Sequence, residues 1–135
     1  MRLLLGVLLV AQGLALPALA QERITITAPW GQVSAELADN AAARLLLQML
    51  PFTIEMRDHL RQEKTGDLPS PLPAAPRQRD FSTGMLGLWG PDHFVIYYRD
   101  GRVPDPGIAI LGRLTGDAAI FERPGPVSVR VERAP

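Results

Sequence analysis

His59 and Glu63 stand four residues apart, and an imidazole beside a carboxylate is a minimal acid–base pair. On a helix that spacing would bring both to one face. His93 could join them in space, but the chain holds two histidines in all and no third ligand lies nearby, so no metal and no cofactor is expected. Ser82-Thr83-Gly84 lacks the His and Asp signature of a hydrolase. Gly84-Met85-Leu86-Gly87 lacks the lysine and the strand-loop-helix setting of a phosphate cradle, so both read as turns. The absence of cysteine excludes thiol catalysis, disulfides and thiolate zinc. What remains is a binding surface. Trp89, Phe94, Tyr97 and Tyr98 cluster, and strand alternation puts Phe94, Ile96 and Tyr98 on one face and His93, Val95 and Tyr97 on the other. One face must fill a core. The other, with Trp89 and with Arg57 on an adjoining wall, would form a groove suited to a peptide or small apolar ligand. Outer packing under a proline-rich loop accounts for the same residues equally well.

These side chains need a scaffold, and the chain supplies one after residue 20. Arg2, an apolar run from Leu3 to Leu16 and then Ala18-Leu19-Ala20 read as a secretory signal peptide over residues 1–20, cleaved before Gln21. Gly6, Gln12, Gly13 and Pro17 interrupt a run already short for a spanning helix. Residues 21–135 then form one domain, expected to be periplasmic or secreted and free of the membrane. Ile24-Thr25-Ile26-Thr27, the turn Ala28-Pro29-Trp30-Gly31 and the alternation of Val33, Ala35 and Leu37 predict an opening hairpin. Asp39 or Asn40 caps a helix over Ala41 to Leu50, which Pro51 ends. Phe52, Ile54 and Met56 alternate with Thr53, Glu55 and Arg57 in a strand buried on one face.

From His59 to Asp80 the pattern dissolves, with prolines at 69, 71, 73 and 76, and this predicts a long loop, proline-rich over 65–80. Order returns in a hairpin of Met85–Trp89 and His93–Tyr98 around Gly90-Pro91-Asp92. Further strands follow at Ile108–Leu114 and Val127–Glu132, with a short element of open type at Ala118–Phe121. About eight strands and one clear helix suit a closed barrel, which leaves no sheet edge free to aggregate.

Ala35 to Pro51, Glu63-Lys64 followed by Leu68-Pro69, Tyr97-Tyr98-Arg99 and Gly107 to Arg113 occur in an order and spacing that resembles the small bacterial branch of cyclophilin-like fold proteins. The resemblance spans nearly all of residues 21–135 and implies a mainly β fold, a closed cyclophilin-like β-barrel of about eight strands with one capping helix. That branch brings no established activity with it. Cyclophilins proper are prolyl isomerases, in which an arginine donates toward the proline amide beside an apolar pocket. Their Phe-His-Arg run and Gln-Phe-Phe-Ile strand are not present here; the stand-ins are Arg57 and His93-Phe94-Val95-Ile96, with the aromatic floor thinned.

The whole chain carries 14 basic and 14 acidic groups with no block of one sign, so neither nucleic acid nor an anionic membrane has an electrostatic footprint. Two functions stay open: an exported peptide-binding or small-ligand-binding accessory module, and a weak or divergent prolyl isomerase using Arg57. Whether the chain is an enzyme is open with them.

Overall fold

A computed structural model describes residues 6–11, 13 and 21–135; apart from 6–11 and 13, the leader expected over residues 1–20 lies outside the described residues. Strand β1 (Arg23–Ala28) turns at Pro29-Trp30 into β2 (Gly31–Leu37), with Ile24 opposite Ala35 and Ile26 opposite Val33. All four of those side chains are buried, as the period-two pattern requires.

Helix α1 (Ala41–Met49) begins where the Asn40 side chain accepts the Ala43 N–H at 2.9 Å, and the same amide donates to the Ile110 carbonyl at 2.8 Å. Of the two capping candidates, Asn40 is therefore the cap, and it also ties the helix to the barrel. Ala42, Ala43 and Leu46 form the buried face of α1 and join the main core. Because Asn40→Ala removes both bonds, it should lower stability by about 1–2 kcal/mol, read from a denaturant midpoint.

The remaining strands are β3 (Phe52–His59), β4 (Glu63–Asp67), β5 (Arg77–Gln78), β6 (Asp80–Phe81), β7 (Met85–Trp89), β8 (His93–Tyr97), β9 (Gly101–Arg102), β10 (Ile108–Leu114) and β11 (Val127–Arg133), with a 3-10 helix at Ala118–Phe121. The wall runs β2-β1-β11-β3-β4-β8-β7-β10, every neighbour antiparallel, and β10 pairs back onto β2. The result is a closed antiparallel barrel of eight strands, so the mainly β fold with one helix is as the sequence implies. Strand β5 adds to β10 outside the ring, and β6 with β9 makes a separate two-stranded ribbon.

The expected loop from His59 to Asp80 is corrected at both ends, since His59 closes β3, residues 63–67 form β4, and Arg77–Gln78 and Asp80 belong to the short strands β5 and β6. Residues 63–67 are a central barrel strand between β3 and β8. The alternation that announces a strand is missing because β4 is buried on both faces by polar residues: Glu63 and Thr65 on one side, the fully buried Lys64 on the other. Leu60 (φ 52°) and Arg61 (φ 53°) make the β3–β4 turn, and the Gln62 N–H donates to the His59 carbonyl at 3.1 Å. The prolines follow only after β4, where Leu68 and Leu72 are buried in the main core and their N–H groups donate to the Asp92 and Pro91 carbonyls.

Candidate binding site on the outer barrel wall

Strand register decides which side chains meet. Arg57 lies opposite Thr65 and His59 opposite Glu63 across β3–β4; Glu63 lies opposite Tyr97, Thr65 opposite Val95 and Asp67 opposite His93 across β4–β8; Trp89 lies opposite His93 across β7–β8. Directly paired residues share a face, and so do residues two apart on one strand. Phe94, Ile96 and Tyr98 belong to the main core, so the other set faces outward.

The outward set is only partly open. Val95 and Tyr97 pack with Phe81, Met85 and Ile108 in a second, outer core. Phe81 on β6 stacks on the Tyr97 ring with centroids 3.8 Å apart, and Gly101 on β9 is bare of a side chain where a Cβ would strike the Phe81 ring. The cover over this face thus comes from the β6–β9 ribbon, not from the prolines of the loop.

Beside the ribbon a hollow of about 390 Å³ remains. Arg57, His59, Glu63, Trp89, His93, Val95 and Tyr97, all singled out from sequence, line it together. His59 and Glu63 meet as cross-strand partners in a hairpin, not on a helical face, with Nε2 3.8 Å from Oε1. Thr65, Gln62, Leu60, Arg102, Val103 and Pro104 complete the wall and were not legible as site residues. Thr65 follows from Glu63 at i+2 once β4 is known to be a strand. Arg102 to Pro104 carry no such signal, because their place depends on the ribbon folding back.

The floor is polar and buried, the rim charged and open. Glu63 is 6% exposed, Thr65 3% and Tyr97 1%, whereas Arg57 and His59 are exposed. Glu63 accepts a long hydrogen bond from the Gln62 amide at 3.3 Å, with the Tyr97 hydroxyl beside it. The Thr65 hydroxyl has no hydrogen-bond partner among the described residues. At the rim, His93 Nδ1 sits 2.9 Å from Asp67 and Arg102 Nε 3.6 Å from Asp80, while Arg57 has no carboxylate partner among the described residues. No group of three or more metal-ligating side chains occurs among the described residues.

Burial pushes the Glu63 carboxyl above its ordinary 4.5, and the Gln62 amide, the two imidazoles and Tyr97 recover only part of that cost. Burial and the Glu63 charge together push the Tyr97 hydroxyl well above its usual range. Since the folded state binds the Glu63 proton more tightly than the unfolded chain, the stability linked to this group is complete below pH 4.5 and is lost as pH rises through the folded value. Glu63→Gln should therefore be more stable than wild type at pH 8, with the gain vanishing at pH 4. Urea unfolding at both pH values reads this directly, and a difference independent of pH would contradict it.

The opposite side of β4 carries a different cluster. Lys64 is fully buried, and its ammonium donates to Asp58 at 3.1 Å, to the Gly125 carbonyl at 3.0 Å and to the Arg123 carbonyl. The Tyr98 hydroxyl donates to the same Asp58 oxygen at 2.5 Å. With every ammonium donor used, this cluster is a brace between the β3–β4 hairpin and the segment leading into β11.

The chain matches a protein-family model described as the cyclophilin-like family over residues 26–132. Among solved structures it is similar to a hypothetical protein of Archaeoglobus fulgidus known from a solution structure, with 16% identity, a TM-score of 0.66, and coverage of 84% of this chain and 95% of that one. At that identity the likeness speaks for the fold alone. No curated protein matches the chain significantly.

Proposed function

The chain belongs to the cyclophilin-like family, and from that premise we propose that it is an exported, non-catalytic binding domain that takes a peptide or small apolar ligand in the outer-wall hollow. The observation that carries this reading is the Thr65 hydroxyl. Buried side-chain oxygens are nearly always hydrogen-bonded, and this one, on a residue that lines a hollow large enough for a small ligand, has no partner among the described residues. Val95, Trp89 and Val103 supply apolar wall around it. Export rests on the leader over residues 1–20, and the mass of the processed chain should begin at Gln21.

Trp89 reports on occupancy because it lines the hollow and is 37% exposed. In a Trp30→Phe background it is the sole tryptophan, and titration with the tetrapeptide Ala-Leu-Pro-Phe, in free and amino-acetylated forms, should change its emission saturably with at least one of them. An unchanged emission with both would overturn the reading.

The isomerase reading is favoured by one observation: Arg57 stands at the rim without a carboxylate partner among the described residues. A coupled prolyl-isomerisation assay at high protein concentration separates the two. Turnover abolished by Arg57→Ala, with the fold intact, would move the chain to the isomerases.

A further inference from the structure

If the outer-wall hollow is the binding site, its floor selects a particular chemistry. An ionised carboxylate only accepts hydrogen bonds, and the contacts Glu63 has within the protein, a long bond from the Gln62 amide at 3.3 Å, the Tyr97 hydroxyl and the rim imidazole of His59 at 3.8 Å, recover only part of its burial cost. Beside it, at i+2 on the same face, is the unpartnered Thr65 oxygen, and across β4–β8 is the Tyr97 hydroxyl. An ammonium group has three donors and no acceptor, and this floor offers three oxygens clustered by strand register. An anionic ligand would meet the Glu63 charge in a buried setting, and a neutral apolar one would add no donor to it beyond the exposed His59 at 3.8 Å.

The rim extends the match. At the rim, Arg102 and His93 already face Asp80 and Asp67, and Arg57, opposite Thr65 in the register, has no carboxylate partner among the described residues. From the floor outward the hollow runs from negative to positive, the reverse of an amino acid or peptide entering amino end first. We propose that the site captures its ligand by a free amino terminus: the ammonium of an amino acid or short peptide seats on Glu63, Thr65 and Tyr97, with the ligand's carboxylate or first carbonyl toward Arg57.

Calorimetric titration of the full chain with L-leucine amide and with N-acetyl-L-leucine tests this. Leucine amide should bind saturably, and N-acetyl-leucine about tenfold more weakly or not at all. Glu63→Gln, which keeps the shape of the floor, should weaken leucine amide by about tenfold or more while circular dichroism stays unchanged. Equal or tighter binding of N-acetyl-leucine, or an unaffected Glu63→Gln, would overturn amino-terminal recognition. Silence from both probes would overturn it as well. The Trp89 titration with both forms of the tetrapeptide separates the two failures: no change with either overturns binding in the hollow, whereas equal changes with the free and acetylated forms leave binding standing and overturn amino-terminal recognition.

Discussion

Lys64→Met should lower the unfolding free energy by about 3–5 kcal/mol, the range for removing one partner of a buried, hydrogen-bonded charge pair. The substitution keeps the stem of the side chain but strands the Asp58 carboxylate and the Arg123 and Gly125 carbonyls in a region where Lys64 is fully buried. Urea denaturation measures the loss, and a change under about 1 kcal/mol would remove Lys64 from the account of stability. Tyr98→Phe, which deletes only the hydroxyl donor to Asp58, should cost about 1–2 kcal/mol and serves if the lysine variant does not fold. The same cluster predicts acid sensitivity. Burial raises the Asp58 pKa, but the hydrogen bonds from Tyr98 and Lys64 and the Lys64 charge outweigh it and hold the group below its ordinary 3.8. Its contribution is present above that value and is lost as pH falls through the folded one.

Gly112→Ala should be of similar severity, about 3 kcal/mol or more, for a steric reason. Gly112 pairs with Leu37 on β2 and with Leu86 on β7, at the register shift where β10 closes the ring. A Cβ there would drive into the Glu36 carbonyl oxygen, a backbone atom that cannot swing aside. Relief requires β2 and β10 to part, which opens the barrel. Gly31, where a Cβ would meet nothing within 4 Å, is the control, and Gly31→Ala should stay within about 0.5 kcal/mol of wild type. Equal stabilities for the two alanine variants would contradict closure at Gly112.

The parts of the fold that were readable are those where one face is apolar and the other polar. β3 and β11 show that alternation cleanly, Asn40 and Pro51 bracket α1, and the Ile24 and Val33 runs announce the first hairpin. Strand β4 shows no such alternation because its buried residues are Glu63, Lys64, Thr65 and Gly66, sheltered on both faces by tertiary structure that periodicity does not record. Strands β6 and β9 are two residues each, too short for any pattern, yet their ribbon lays Phe81 over Tyr97 and turns an outer sheet face into a second core. His59 and Glu63 do meet, but because Leu60 and Arg61 reverse the chain between paired strands. Strand alternation already put His93, Val95 and Tyr97 on one face; the unpartnered Thr65 hydroxyl has no counterpart in any sequence pattern, because it depends on what the folded chain packs around it.

An amide-resolved NMR titration with Ala-Leu-Pro-Phe tests the central claim most directly, since each wall of the hollow has its own reporters. Saturable shifts should concentrate at Glu63, Thr65, Val95, Tyr97 and Arg102, with the barrel interior near Ile54 and Val129 unmoved. Shifts confined to the separate hollow beside α1, lined by Arg44, Leu47 and Arg133, or no shifts at all, would contradict a binding site on the outer wall of β3, β4 and β8.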